Sequence, residues 1–376
     1  MDFSFGEEQQ AVRDLARRIF ADRVSHERSQ ALEASGEWFD EELWAELGRA
    51  QIPGLALPEE VGGSGFGILE VWLVLEEAGR HLAPVPLLPA LVLGGPPVAE
   101  FGSADQRARW LPQAARGETL LTAALHEAGS ADPARPRTSA RREGEGWRLD
   151  GVKECVPAAQ RAAAILVPAQ TEDSVGVFLL DPRAPGVKLE RQETTNREPQ
   201  GRLLLSGAAV GEQDVLGDPA RGGAIVEWIV ERAHVALAAL QLGVAEEALR
   251  RTAEYVSSRK QFGRSIATFQ GVALRAADGW IDLEAMRATL CQAAWRLSQG
   301  LPAAREVAAA RWWACRGGQR IAHTAQHLHG GIGADVDYPI HRYFLWAKQI
   351  ELTLGGASEQ LARLGSLIAR SERAET

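Results

Sequence analysis

The groups of this chain best placed to hold a ligand crowd into the stretch Arg259-Lys-Gln-Phe-Gly-Arg-Ser-Ile-Ala-Thr-Phe-Gln270. Arg259, Lys260 and Arg264 surround a single glycine, Gly263. On either side run stretches that are apolar on nearly every face, about residues 225–257 and 270–298. An unbroken run of that character would make one buried helix, and Gly263 interrupts it. The start of the second helix then carries unpaired backbone N–H groups. Helix N-termini attract negative charge. Cations and amides gathered in one corner suit an anionic ligand. A plain helix–helix turn with solvated cations would use the same residues, and spacing alone leaves both readings open.

Two further stretches carry wording of the same kind: His327-Leu-His-Gly-Gly-Ile-Gly333 followed by Asp337-Tyr338-Pro339, and Leu57-Pro-Glu-Glu-Val-Gly-Gly-Ser-Gly65. Arg259-x-x-Phe262-Gly263 with Phe269-Gln270 resembles the acyl-CoA dehydrogenase family, flavoenzymes that oxidise acyl-CoA thioesters. The other two stretches resemble that family's second C-terminal signature and its N-terminal signature, in the family's order. The likeness covers essentially the whole chain. It implies an α+β multidomain fold: an N-terminal helical domain, a middle β domain and a C-terminal helical bundle. It implies FAD as cofactor, an acyl-CoA substrate, and electron-transfer flavoprotein or another acceptor as redox partner. Arg259, Phe262 and Gln270 match positions that reach the FAD of a neighbouring subunit. Gly330 and Gly331 match the backbone approach to FAD. His327 stands where most relatives carry glutamine, and imidazole can still donate one hydrogen bond.

The family's reaction removes an α-proton and passes the β-hydride to the flavin. It needs a carboxylate whose pKa is raised in a desolvated pocket. It also needs donors to the thioester oxygen. In relatives the glutamate stands at the position of Leu354, or at that of Ala233. Neither residue can take a proton. Glu231 is the remaining candidate base, two residues from Ala233 and so about 200° round a helix. Leu125-His-Glu-Ala-Gly-Ser-Ala-Asp132 keeps only fragments of the family's flavin loop. Cys155-Val156-Pro157 stands where relatives carry a Trp-x-Thr or Trp-x-Ser element, and proline has no N–H to donate. The wording looks like that of actinobacterial subunits of α2β2 tetramers acting on steroid side-chain or other bulky acyl-CoA thioesters. A subunit without a base would then work with a homologous partner subunit. Two alternatives stand beside this: a self-sufficient homotetramer with a relocated base, and a flavin-free binding or scaffold protein on the same fold.

The elements that must position these residues are legible in outline. At 376 residues the chain exceeds one ordinary core. Lys plus Arg is 41 against 50 for Asp plus Glu, a formal charge of −9, which argues against a nucleic-acid binder. The three cysteines lie far apart, so neither a metal site nor a disulfide framework is expected. The acidic start lacks the pattern of a signal peptide, and no long uncharged apolar run predicts a membrane span. The chain therefore reads as cytoplasmic. Helical spacing is expected over about 7–34, 41–50, 68–80 and 105–115. Gly62, Gly63, Gly65 and Gly67 form either a phosphate cradle or a tight connection. From residue 120 short apolar runs signal strands, among them 120–125, 147–149, 163–168, 175–180 and 201–206. Helix returns near residue 221. The expected domains are 1–117 helical, 118–220 β and 221–376 a helical bundle.

Overall fold

The computed structural model of the protein describes residues 4–130 and 132–374, with side chains described through residue 370. Ala131, inside the degenerate flavin-loop stretch, lies outside the described residues. The elements run α1 (Glu7–Arg23), α2 (His26–Ser35), α3 (Glu41–Arg49), α4 (Ile68–His81), α5 (Gly95–Phe101) and α6 (Ala104–Ala115). Strands follow: β1 (Leu120–Ala123), β2 (Ser139–Glu143), β3 (Gly146–Pro157), β4 (Ala162–Gln170), β5 (Val175–Leu180), β6 (Val187–Glu193) and β7 (Pro199–Gly211). Then come α7 (Gly222–Ser258), β8 (Lys260–Gln261), β9 (Arg264–Ser265), α8 (Gln270–Ser298), α9 (Ala304–His329), α10 (Ile340–Leu352) and α11 (Ala357–Ala374). Helices, strands, then helices again is the α+β order that the sequence implies. The helix expected over 7–34 is two helices. Val24 is extended (φ −105°, ψ 105°), and the Ser25 hydroxyl accepts from Arg28 N at 3.2 Å to start α2.

By contact the chain forms two compact units, and each is described by itself. One comprises residues 32–67 and 84–233. Its centre is a seven-stranded sheet in the order β1-β4-β2-β3-β7-β6, with β5 also paired to β4. β4 is buried along nearly its whole length, and Ile165 and Val167 pack with Trp147, Leu149, Phe178, Leu203 and Leu205. Edge strand β6 is nowhere fully buried. β2 and β6, rich in Arg, Lys and Glu, escape a search for apolar runs for that reason. The glycine loop closes on the protein itself. A Cβ on Gly63 would stand 2.1 Å from the Leu57 carbonyl oxygen, so the loop is a tight connection there.

The other unit comprises residues 4–31, 68–83 and 234–374. α9 packs against α8, α10 and α11, and α1 against α4. α4 and α7 meet through glycine. A Cβ on Gly243 would come within 1.9 Å of the Glu76 carbonyl oxygen, and one on Gly79 within 2.1 Å of that of Leu240. Such backbone contact leaves no room for a larger residue. Beside it, the neighbours Glu76 and Glu77 on α4 are both buried. Arg13 reaches Glu76 at 3.0 Å and Glu77 at 3.2 Å, and Arg17 reaches Glu77 at 2.9 Å. Arg80 bonds Glu77 at 3.2 Å and Glu246 at 2.8 Å, and Arg287 bonds Glu246 at 3.0 Å. Four elements, α1, α4, α7 and α8, are thereby joined.

Among the described residues, no helix is long and apolar enough to cross a membrane, and no three His, Cys, Asp or Glu side chains group as metal ligands.

The ion cluster makes stability depend on acid. Burial works against the charge of Glu77 and of Glu246, but the facing guanidinium groups outweigh it and hold both carboxyls below their ordinary value of 4.5. A carboxylate depressed on folding contributes stability that is present above its unfolded pKa and lost as pH falls through the folded one. The melting temperature should therefore hold from neutrality down to about pH 5 and fall below that. Glu77→Gln should lower the plateau and flatten the acid limb. Parallel profiles for the two proteins would show that the cluster does not govern acid unfolding.

Candidate functional site

α7 ends at Ser258, and Arg259 N still donates to the Tyr255 carbonyl at 2.8 Å. The chain then makes a two-residue hairpin between β8 and β9. Phe262 and Gly263, its central residues, have φ +54° and +77°. That is the backbone of a type I′ turn, and a non-glycine residue there costs about 1–2 kcal/mol. The expected helix–helix turn is thus a hairpin. Ser265 fastens it, donating to Val256 O at 2.8 Å, while Ile266 N donates to Arg259 O at 2.9 Å. Phe262 is 93% exposed, and its ring meets only the edge of Phe269 among the aromatic contacts described (6.3 Å). Arg259, Lys260, Arg264 and Gln270 are all exposed.

The second stretch closes α9. Gly330 has φ +65° and ψ −142°, a conformation essentially restricted to glycine. A Cβ on Gly330 or on Gly331 would meet nothing within 4 Å, so this backbone faces open space. His327 is exposed. His329 is buried, and its Nδ1 donates to the Ala325 carbonyl at 2.8 Å, which leaves Nε2 as an acceptor without a partner. Burial pushes the His329 pKa down. Its ring stacks on Tyr255 at 4.4 Å. The stack joins the last turns of α7 and α9, and so ties the Arg259 hairpin to the Gly330–Gly331 turn.

The third feature is the turn after α10. Leu354 has φ +54°. Three buried side chains from three helices hold its backbone. His234 Nε2 donates to the Leu354 carbonyl at 3.1 Å. Gln360 donates to the same oxygen at 3.3 Å and to Gly355 O at 3.4 Å. Fully buried Arg311 donates through Nη2 to Thr353 O at 2.8 Å, to Glu351 O at 3.3 Å and to Ile350 O. Burial, aided by the Arg311 and Arg363 charges, pushes His234 down to about 3, so the ring is neutral. The nearby carboxylates are engaged: Glu351 with Lys348 at 2.6 Å, and Glu359 with Gly356 N at 2.9 Å. On α7, Ala233 is a buried methyl, and Glu231 is half-buried.

In the sheet, Cys155 also has a left-handed φ (+51°) and sits in a break of the β3–β7 register. Its N–H donates to Gln192 Oε1 at 2.9 Å. Sequence reasoning missed the pair beside it. Lys153 and Glu127 are buried and 2.7 Å apart. Glu127 also accepts from Thr138 N at 3.0 Å and Thr138 Oγ1 at 2.7 Å, which closes the loop of residues 127–138 onto β3. Burial drives Lys153 down to about 8 against the pull of Glu127. The available signal was a lysine at an inward position of an alternating strand, between exposed Val152 and half-buried Glu154.

Helices before and after a β sheet in chain order, an exposed cationic hairpin, an open glycine turn and a clamped turn are what an acyl-CoA dehydrogenase would show, and the chain belongs to that family. Residues 6–118 match the acyl-CoA dehydrogenase N-terminal domain and residues 220–370 the acyl-CoA dehydrogenase C-terminal domain. Members are FAD-dependent oxidoreductases acting on CH–CH bonds. Among relatives, acyl-CoA dehydrogenase FadE27 of Mycobacterium tuberculosis is 40% identical over 99% of this chain and 100% of its own length. A variant of the Tcur3481–Tcur3483 steroid ACAD is 47% identical, covering 98% of this chain and 100% of the other, with a TM-score of 0.91. The ChsE4–ChsE5 complex from Mycobacterium tuberculosis is 41% identical, covering 98% and 99%, with a TM-score of 0.93. The chain's residues fit FAD unequally. Open backbone at Gly330–Gly331 and an exposed guanidinium at Arg259 suit a pyrophosphate-bearing group, whereas Cys155 and Pro157 offer neither an aromatic face nor a hydroxyl.

Removing one partner of the buried sheet pair should be severe. Lys153→Met leaves Glu127 buried without its cation, a loss of about 3–5 kcal/mol. The double change with Glu127→Gln should recover part of it. Urea midpoints of the three proteins measure this. A Lys153→Met protein as stable as the parent would deny the pair its anchoring role.

Proposed function

We propose that this chain is the subunit without a catalytic glutamate in a heteromeric, FAD-dependent complex that α,β-dehydrogenates acyl-CoA thioesters. Leu354 carries the proposal. A hydrocarbon occupies the base position on a turn that three buried side chains hold in place. Ala233, the other position, is a methyl group. Bound FAD would supply the hydride acceptor. Arg259, Phe262 and Gln270 on the exposed hairpin, with Gly330, Gly331 and His327 on the open turn, are the residues we assign to hold it. No metal takes part. The partner is a homologous subunit in an α2β2 tetramer. Two of the most similar solved structures, a steroid ACAD variant and a ChsE4–ChsE5 complex, support both that assembly and a bulky, steroid-type acyl group. Electron-transfer flavoprotein or a similar acceptor would take the electrons from bound FAD, and the complex works in the cytoplasm. The domains proposed are 1–117, 118–220 and 221–376. Strands β1–β7 between residues 120 and 211, with family matches ending at 118 and starting at 220, support these limits.

Anaerobic flavin bleaching by a panel of acyl-CoAs tests the subunit role. The chain alone should react on the order of 10²–10⁴-fold more slowly than the chain with its partner. Bleaching by the mixed complex should be indifferent to Glu231→Gln. Rapid bleaching by the isolated chain, lost on Glu231→Gln, would make Glu231 the base and overturn the proposal.

Cofactor retention tests the hairpin. Arg259→Ala removes a cation placed for a phosphate, so the assembled complex should hold less FAD per tetramer after gel filtration. Unchanged stoichiometry and affinity would sink that assignment.

A further inference from the structure

A cavity of 390 Å³ opens in the unit that carries the sheet, and it uses none of the residues assigned above. Its volume falls within the range of small-molecule sites, roughly 300–1,000 Å³. Trp38 and Phe39, on the link between α2 and α3, form an apolar wall with Pro86 and Pro199. Arg161, from the turn after β3, and Arg191, on β6, bring two guanidinium groups to the lining. Arg161 is already committed, stacked on Phe39 at 3.9 Å and paired with Glu41 at 3.3 Å. Arg191 makes one contact to backbone, donating to the Gly36 carbonyl at 3.3 Å. Glu198, just before β7, adds a carboxyl.

Two strained backbone positions flank the cavity. Ala158, in its lining, has φ +51°, and Arg197, next to Glu198, has φ +64°. Non-glycine residues hold such angles only where their surroundings over-determine them, and they gather at ligand clamps. The angle at Arg197 belongs to the β6–β7 hairpin, where Arg197 N donates to Thr194 O at 2.8 Å and Thr194 N to Glu198 O at 3.2 Å; that at Ala158 lies in the cavity lining itself. Both lie in turns, after β3 and between β6 and β7.

We propose that this cavity binds a small aromatic monocarboxylate, its ring against Trp38, Phe39 and Pro199 and its carboxylate held by Arg191 and by Glu198 acting as a hydrogen-bond donor. Such a ligand matches the lining in shape and charge. Burial pushes Glu198 up to about 7, against the side-chain amides of Asn196 and Gln200, so near neutrality it can carry the proton it must donate. The charged groups that line the cavity with it are Glu37, Arg161 and Arg191. Glu41 already balances Arg161, so the guanidinium that a carboxylate would meet is that of Arg191, whose bond in the structure is to the Gly36 carbonyl. The site goes beyond the acyl-CoA chemistry and does not depend on it.

Isothermal titration of the full chain with 2-naphthoate tests this. Saturable 1:1 binding is expected near pH 6. Arg191→Met, or the neutral probe 2-naphthamide, should weaken it about tenfold, the effect of one hydrogen bond to a charged group. Arg191 is exposed, so its loss leaves the core intact. Trp38→Ala should weaken binding as well. As pH rises through about 7, affinity should fall in the parent protein and stay level in Glu198→Gln. Absence of saturable binding would overturn the proposal. So would binding indifferent to both Arg191→Met and Trp38→Ala, because the probe would then sit elsewhere.

Discussion

The helical unit depends on two neighbouring carboxylates, Glu76 and Glu77, buried side by side on α4. Adjacent buried negative charges are untenable alone. They persist because Arg13 and Arg17 arrive from α1, Arg80 from the next turn of α4 and Arg287 from α8. Satisfying them fixes where those helices lie. The glycine contacts of Gly79 and Gly243 set the α4–α7 distance beside the same cluster. Every helix that carries a candidate site residue in this unit is anchored there or packs on one that is.

That anchoring gives meaning to the turn after α10. His234 from α7, Arg311 from α9 and Gln360 from α11 all aim at carbonyl oxygens between residues 350 and 355. Burying a guanidinium for backbone oxygens is expensive. It makes sense where the position of the turn matters more than its local stability. Yet the side chain so held is Leu354, which can shape a pocket but cannot move a proton. The backbone of the turn is held while its side chain is a hydrocarbon. The proposed division of labour between unlike subunits rests on this contrast.

The hairpin at Phe262 is built the opposite way. Its cations and its aromatic ring point to water, and a left-handed phenylalanine holds the turn. The Phe262 ring meets the edge of Phe269 at 6.3 Å and is otherwise open, as the proposed FAD-binding corner would require.

Much of this could be read from residue order alone. The helical spacing of α3, α4, α6 and α8, the apolar strand runs of β4 and β5, and the three signature stretches are local patterns. Period, composition and short motifs report such patterns directly. Residue identity is local too: Leu354 and Ala233 carry no carboxyl, and Pro157 no hydroxyl, whatever the fold. Long-range pairing was hidden. Arg13 lies 63 residues from Glu76 and Arg311 42 from Thr353, and no periodicity links them. Charged strands β2 and β6 look like loops until the sheet supplies partners. Lys153 looks like a surface lysine until Glu127 meets it at 2.7 Å. The order of residues therefore determined the helices and the apolar strands, and which side chains stand at the signature positions. Only the tertiary structure decided which polar groups are buried together, because burial and pairing are properties of distant segments brought into contact.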